Sequence, residues 1–158
     1  MALDTFEEVL RHLDSSASPQ KLLARIVEHW CTTTAYPDAE MFMETVSLPI
    51  YFVTNSDDDF LLAAMKHNGL HPAGFVTSEQ ARYSKPRKEI FLYALEKNGL
   101  KPDEVIHIGD SLRSDVECPC SVGIKSIWLN REKKPVPPGV ISVDSLQGVL
   151  EILEKDAE

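Results

Sequence analysis

The chain has 158 residues and a formal net charge of −9 at pH 7, with 43% hydrophobic and 26% charged residues. This length and composition suit one globular domain with a real hydrophobic core. The acidic excess argues against a nucleic-acid backbone as the main partner, because phosphate backbones bind clustered Lys and Arg. No stretch approaches the roughly 18 apolar residues of a membrane span. Three cysteines and no signal-like N-terminus favour reduced thiols and a cytoplasmic location.

The N-terminal part of the chain is predicted to be helical. Apolar residues at helical spacing indicate two helices on either side of a break at residues 15–19. Within that break, Ser18 is placed to cap the second helix and Pro19 to begin it. We therefore predict a separate helical segment over residues 1–36, followed by a domain over residues 37–158.

From residue 49 onward, short apolar β-rich runs alternate with helical segments. Strands are predicted at residues 50–54, 73–77, 105–108, 125–129 and 140–143. Helices are predicted at residues 38–46, 57–68, 86–98 and 146–153. This alternation predicts an α/β fold whose parallel sheet is covered by helices on both faces. Ligands of such sheets bind at the carboxyl ends of the strands, so polar residues there are the candidate site.

Two acidic residues follow the third predicted strand. The strand ends at Gly109, which lets the backbone approach a ligand, and Asp110 and Asp115 lie five residues apart. Two carboxylates on one loop suit Mg²⁺, which prefers carboxylates together with water and substrate phosphate. The alternative is that Asp110 caps a helix and Asp115 is a solvated turn residue.

Two further segments bring polar groups to the same edge. Lys85 precedes a proline that begins a predicted helix, where a lysine opposes the helix dipole unless it pairs with acidic groups or a phosphate. Thr54 and Asn55 lead from the first strand into a helix N-terminus, where the Thr54 hydroxyl and backbone N–H groups can hold a phosphate. The alternatives are a solvated surface lysine and simple N-capping by Ser56 or Asp57.

The order of these segments resembles the haloacid dehalogenase-like hydrolase superfamily. Thr54 and Asn55 are followed 31 residues after Thr54 by Lys85, and 25 residues later by the Gly-Asp loop. The resemblance covers about residues 37–129 and implies a three-layer Rossmannoid α/β/α core. It also implies that residues 1–36 are part of the helical cap that these enzymes insert before the threonine.

The resemblance implies roles for the candidate residues. Thr54 and Lys85 would hold the transferring phosphoryl group, and Asn55 would help to orient it. Asp110 and Asp115 would support Mg²⁺, with Asp110 as the closer ligand. His107, in the strand before this loop, is expected to be a packed, hydrogen-bonded residue, and Cys118 with Cys120 lacks the second pair of ligands that a zinc site needs.

The family's first motif is not found in this sequence. The resemblance implies a nucleophilic aspartate at the end of a strand, with a second aspartate two residues later as general acid and base. Asp4 has no strand before it and has Phe6 in place of the second carboxylate, so we predict that it forms a helix capping box with Glu7. The missing strand would lie between residues 50–54 and 105–108, which must then pair directly or leave open edges that favour self-association.

The resemblance therefore implies a Mg²⁺-dependent phosphatase that acts on a small phosphorylated metabolite through an aspartyl-phosphate. Without the nucleophile, this chain alone is expected to be inactive. The alternative is a catalytically inactive module of the same fold with a binding or regulatory role.

Overall fold

The computed structural model of the chain describes residues 2–155. By their packing, these residues divide into two compact units. The smaller, helical unit comprises residues 2–34 and Asp59–Gly69, and the larger unit comprises Ala35–Asp58 and residues 70–155. Packing alone does not identify a cap, so the cap remains a prediction.

The order of elements follows the predicted alternation of strands and helices. The helices are α1 (Ala2–His12), α2 (Pro19–Thr32), α3 (Pro37–Thr45), α4 (Asp58–Asn68), α5 (Ser78–Ala81), α6 (Glu89–Asn98), α7 (Cys118–Cys120) and α8 (Leu146–Lys155). The strands are β1 (Tyr51–Thr54), β2 (Gly74–Thr77), β3 (Ile106–Gly109), β4 (Lys125–Leu129) and β5 (Ile141–Val143). A 3₁₀ turn covers Pro102–Glu104, and a π-helical turn covers Leu112–Glu117. No helix in this part of the chain is long and apolar enough to cross a membrane.

Local capping explains where α2 begins, but the cap predicted for α1 is not observed. Ser18 caps α2 as predicted, because its side-chain oxygen accepts the Lys21 N–H at 3.3 Å and Pro19 is the first helical residue. The predicted capping role of Asp4 is wrong, since α1 already includes Asp4 in its first turn. There the carboxylate still complements the positive end of the helix.

The largest shift in an element boundary occurs at α6. This helix begins at Glu89, three residues after the predicted start. The chain before it forms a turn, in which the Arg87 N–H donates to the Ser84 carbonyl oxygen at 2.9 Å. The turn places Lys85 on a loop that precedes the helix.

The helical unit has a small core. Leu10 is its one buried hydrophobic side chain within residues 2–34 and Asp59–Gly69. The rings of Trp30 and Phe60 pack with their centroids 5.9 Å apart, although Trp30 is still 54% exposed.

The larger unit contains two parallel sheets. β1 pairs with β2, and the other three strands pair in the order β3-β4-β5. In the first sheet Thr54 lies opposite Thr77, so both strands end side by side. In the second sheet His107 lies opposite Ser126. The carboxyl ends of β1 and β3 are thus followed by two of the polar segments singled out in the sequence, Thr54 with Asn55 and the Gly-Asp loop.

The two sheets are interrupted between β1 and β3. Over residues 2–155 these strands do not pair with each other, and each keeps one edge without a ladder partner. Of the two predicted outcomes, direct pairing or open edges, the structure has open edges.

Two apolar layers span this interruption. On one face, Phe91 of α6 lies in a cluster that includes Val53 of β1 and Val105 at the start of β3. On the other face, α3 and α8 contribute to a cluster that includes Ile50 before β1 and Ile108 of β3. Because each layer contacts both sheets, the five strands form the interrupted middle layer of an α/β/α arrangement. The predicted fold class is confirmed.

Candidate functional site

Three groups converge on the carboxylate of Asp115, which is only 3% exposed. Lys85 Nζ lies 2.6 Å from Oδ1, and His107 Nε2 lies 3.0 Å from the same oxygen. The Ser111 backbone N–H donates to Oδ2 at 3.1 Å. Both oxygens of Asp115 therefore have partners inside the protein.

These contacts determine the charge of Asp115. Burial raises the pKa of this carboxyl, but the hydrogen bonds from His107 and Lys85, the Lys85 charge and the Ser111 N–H outweigh it and lower the pKa to about 2. Asp115 is therefore ionised at neutral pH and forms a buried ion pair with Lys85. The alternative that Asp115 is a solvated turn residue is wrong, because the turn after β3 places its side chain in a buried position against His107.

The loop after β3 explains how Asp115 reaches this position. Ser111 caps the π-helical turn, since its Oγ accepts the Ser114 N–H at 3.3 Å and its carbonyl accepts the Asp115 N–H at 2.7 Å. The carboxyl of Asp115 then lies against the backbone of Gly109, where an added Cβ would overlap it. Gly109 thus allows the close approach of Asp115, in addition to the predicted approach of a ligand.

Lys85 is held at its backbone as well as at its ammonium group. The Asn55 side chain accepts the Lys85 N–H at 2.6 Å through Oδ1 and donates to the Lys85 carbonyl at 2.8 Å through Nδ2. Thr54, beside it, is half-buried, and its hydroxyl has no hydrogen-bond partner within the described chain. The predicted phosphoryl-binding roles of these three residues remain predictions.

Asp110 differs from Asp115 in being exposed, and its carboxylate bonds to no other residue in the part of the chain described. Its backbone oxygen accepts the indole N–H of buried Trp128 at 2.9 Å, which fixes the loop. The alternative that Asp110 caps a helix is wrong, because Ser111 is the cap.

The donor set for Mg²⁺ is partly present. Within residues 2–155, no three His, Cys, Asp or Glu side chains are grouped as a metal site. Mg²⁺ commonly binds through one or two carboxylates with water and phosphate, and the free carboxylate of Asp110 fits that chemistry. Asp115 fits direct ligation less well, because its oxygens already accept hydrogen bonds.

Two side chains near the site were not identified as functional from the sequence. His107 is packed and hydrogen-bonded as expected, but its partner is Asp115, and its ring meets the edge of Phe91 at a centroid distance of 4.9 Å. Cys118 donates from Sγ to the Pro86 carbonyl at 2.9 Å. Burial, with the nearby acidic charges, raises the pKa of this thiol, which keeps it a neutral donor. A packed imidazole needs a polar partner, and that requirement is the one signal in the sequence that could have pointed to the role of His107.

A polar cleft of about 340 Å³ lies beside the Lys85 loop at the carboxyl edge of the first sheet. Its lining residues are Asp57, Ser78, Glu79, Arg82, Tyr83 and Ser84. The cleft therefore has charges of both signs next to the loop that carries Lys85, while Thr54, Asn55 and Lys85 are not among its lining residues.

Comparisons with known proteins agree on one family. The model of the haloacid dehalogenase-like hydrolases matches residues 3–118. Pyrimidine 5'-nucleotidase YjjG of Escherichia coli K12 is 36% identical over 85 residues, which are 51% of this chain and 37% of that enzyme. Glyceraldehyde 3-phosphate phosphatase of Methanopyrus kandleri is 26% identical over 139 residues, 81% of this chain and 59% of that enzyme.

A solved structure supports the same relationship. The crystal structure of a HAD phosphatase from Thermococcus onnurineus matches with a TM-score of 0.71 at 26% identity, covering 91% of this chain and 68% of that one. The chain thus spans only about two-fifths to three-fifths of the curated enzymes named above.

Proposed function

The chain belongs to the haloacid dehalogenase-like hydrolase family, and from this premise we propose that it supplies the phosphoryl-binding half of a Mg²⁺-dependent phosphatase. The observation that carries the proposal is the buried Lys85–Asp115 pair at the carboxyl edge of an interrupted parallel sheet. Relatives named as phosphatases or nucleotidases act on phosphorylated small molecules by name, which supports a substrate of that class.

Lys85 is the proposed electrostatic anchor for the phosphoryl group. Its ammonium has three N–H donors, and one of them is directed to Asp115 at 2.6 Å. The other two are available to phosphoryl oxygens, and the pairing with an ionised carboxylate fixes the position of the ammonium group. The Thr54 hydroxyl at the end of β1 is proposed as a further donor.

Asp110 is the proposed direct ligand of Mg²⁺, because its carboxylate is exposed and bonds to no other described residue. When bound, the ion would offset the charge of the phosphoryl group. Asp115 is proposed to support the site through Lys85, since both of its oxygens already accept hydrogen bonds.

The nucleophile is proposed to come from an extended strand that fills the interruption between β1 and β3. One strand placed there would satisfy the unpaired edges of both neighbours. An aspartate at its end would attack phosphorus while the second aspartate, two residues later, gives a proton to the leaving substrate alcohol. That second aspartate would then take a proton from the water that hydrolyses the aspartyl-phosphate and releases inorganic phosphate. Without such a strand, the open edges are proposed to favour self-association.

The test compares the chain alone with an extended chain, which carries an N-terminal apolar strand ending in Asp-x-Asp. With Mg²⁺ and p-nitrophenyl phosphate, the extended chain is expected to turn over and the chain alone is not. The matched control is the same extension ending in Asn-x-Asn, which should fill the interruption without activity.

Turnover by the chain alone, abolished by EDTA and by Asp110→Asn, would show that the nucleophile lies within residues 1–158. An extension that stabilises the fold without turnover would favour the alternative, an inactive module that binds through its open strand edges.

A further inference from the structure

We propose that Asn55 is a positioning residue whose side-chain amide holds Lys85 in place for the phosphoryl group. This inference rests on the proposed function, and it assigns Asn55 a role that acts through Lys85 and not through direct contact with the phosphoryl oxygens. The two roles predict different results in a binding experiment.

The side-chain amide of Asn55 makes two hydrogen bonds to the backbone of Lys85. Oδ1 accepts the Lys85 N–H at 2.6 Å, slightly shorter than the usual range of about 2.7–3.2 Å, and Nδ2 donates to the Lys85 carbonyl at 2.8 Å, within that range. A single planar side chain therefore satisfies both backbone groups of Lys85. This arrangement fixes the plane of the amide as well as the position of the lysine backbone.

The position of Lys85 in the fold explains why its backbone bonds to a side chain. It lies on the loop between α5 and α6, where no strand offers a ladder to its backbone. Asn55, directly after β1, instead provides the hydrogen bonds to the Lys85 backbone. The Lys85 ammonium group bonds to Asp115 on the loop after β3. Asn55 and Asp115 thus hold the two ends of one residue across the interrupted sheet.

A third contact restrains the same loop. Cys118 Sγ donates to the carbonyl of Pro86 at 2.9 Å. Lysine has a flexible four-carbon stem, and its ordering is costly unless its backbone is already fixed. Hydrogen bonds to the carbonyls of Lys85 and Pro86 order the loop in advance, so that less conformational entropy is lost when phosphate binds.

The test measures binding of inorganic phosphate to the full chain in the presence of Mg²⁺ by calorimetry. Asn55→Ala should weaken binding about tenfold, because the lysine is then less often in position. Lys85→Met should weaken it about 100-fold, the loss expected for a charged hydrogen-bonding partner. Asn98→Ala is the matched control, since that amide bonds the Ala94 carbonyl at 2.8 Å and should leave binding unchanged.

The double variant separates the two roles. If Asn55 acts through Lys85, Asn55→Ala should cause no further loss when added to Lys85→Met. A further tenfold loss in the double variant would show direct contact with phosphate and overturn the proposal, as would unchanged binding by Asn55→Ala.

Hydrogen exchange at the Lys85 backbone amide tests the anchoring by Asn55 without relying on phosphate binding. In Asn55→Ala this amide should exchange at least tenfold faster, while amides of α6 keep their protection. If the original chain does not bind phosphate, the proposed function fails and exchange alone decides the anchoring. Equal protection of the Lys85 amide in both proteins would overturn it.

Discussion

Two ion pairs of the larger unit are largely buried, Lys85–Asp115 and Arg131–Asp38, and they differ in the hydrogen-bond donors that the cation keeps free. Asp38 binds both terminal nitrogens of Arg131 at 3.0 and 2.9 Å and also accepts the Leu146 N–H at 2.9 Å. Asp115 binds the single ammonium of Lys85 at 2.6 Å. A planar guanidinium in a bidentate pair is committed to that partner, whereas an ammonium keeps donors for a ligand.

The surroundings of the Arg131–Asp38 pair also indicate a structural role. The Arg131 guanidinium also lies 4.1 Å from the ring centroid of Tyr36, so its face is covered as well as its edge. Asp38, near the start of α3, caps the first turn of α8 through Leu146. The Arg131–Asp38 pair therefore serves to hold elements of the fold together. The Lys85–Asp115 pair also joins two segments, but the Lys85 ammonium keeps N–H donors that a ligand can use.

The largest contrast is expected from removing the two cations. Lys85→Met in the extended chain should lower turnover of p-nitrophenyl phosphate at least 100-fold, because the phosphoryl group loses its charged donor. Arg131→Met should leave turnover of the folded protein within about threefold, since its guanidinium serves the fold. Similar losses in both variants would contradict the contrast.

The reverse contrast is expected in stability. Asp38→Ala should lower the free energy of unfolding by about 3 kcal/mol, because it removes a bidentate ion pair and a helix cap together. Urea denaturation measures this change, and Glu132→Ala, which removes the exposed Lys134 pair, is the control with an expected loss below about 0.5 kcal/mol.

The pH dependence of stability should differ between the original chain and a variant with a neutral side chain in place of Asp115. The pKa of Asp115 is lowered from 3.8 to about 2 by folding, so its ionised form contributes about 2 kcal/mol above pH 4. That contribution is lost as the pH falls from 3.8 towards 2. The stability difference between the original chain and Asp115→Asn, measured in EDTA, should shrink over this window. Parallel curves would contradict the assigned pKa.

The smallest effect is expected at Ser126. Its Oγ is buried and is the one side-chain polar atom of residues 2–155 found buried without a hydrogen bond. Ser126→Ala should therefore be neutral or stabilise the fold by up to about 1 kcal/mol. Ser111→Ala, which removes the cap of the π-helical turn, should instead cost about 1 kcal/mol. Equal destabilisation by both would show that Ser126 has a partner.

The sequence was sufficient for the strands and for the family, whereas short elements such as α5 were not predicted. Alternation of apolar runs with helical periodicity predicted every strand, because local spacing decides which face of an element is buried. The order of Thr54, Lys85 and the Gly-Asp loop predicted the site's place at the carboxyl edge. Ser18 and Pro19 are likewise local signals, and they start α2 as predicted.

Only the tertiary structure decided which of these residues are partners. Asn55 and Lys85 are 30 residues apart in sequence, and so are Lys85 and Asp115, so no local rule connects them. Their packing makes Asp115 a buried partner of Lys85 and His107 and leaves Asp110 exposed, and the metal-binding roles of both residues remain predictions. The sequence by itself identified the candidate side chains and the edge of the sheet at which they were expected to lie. Their contacts required the fold, because burial and hydrogen bonding depend on what distant segments bring to the same place.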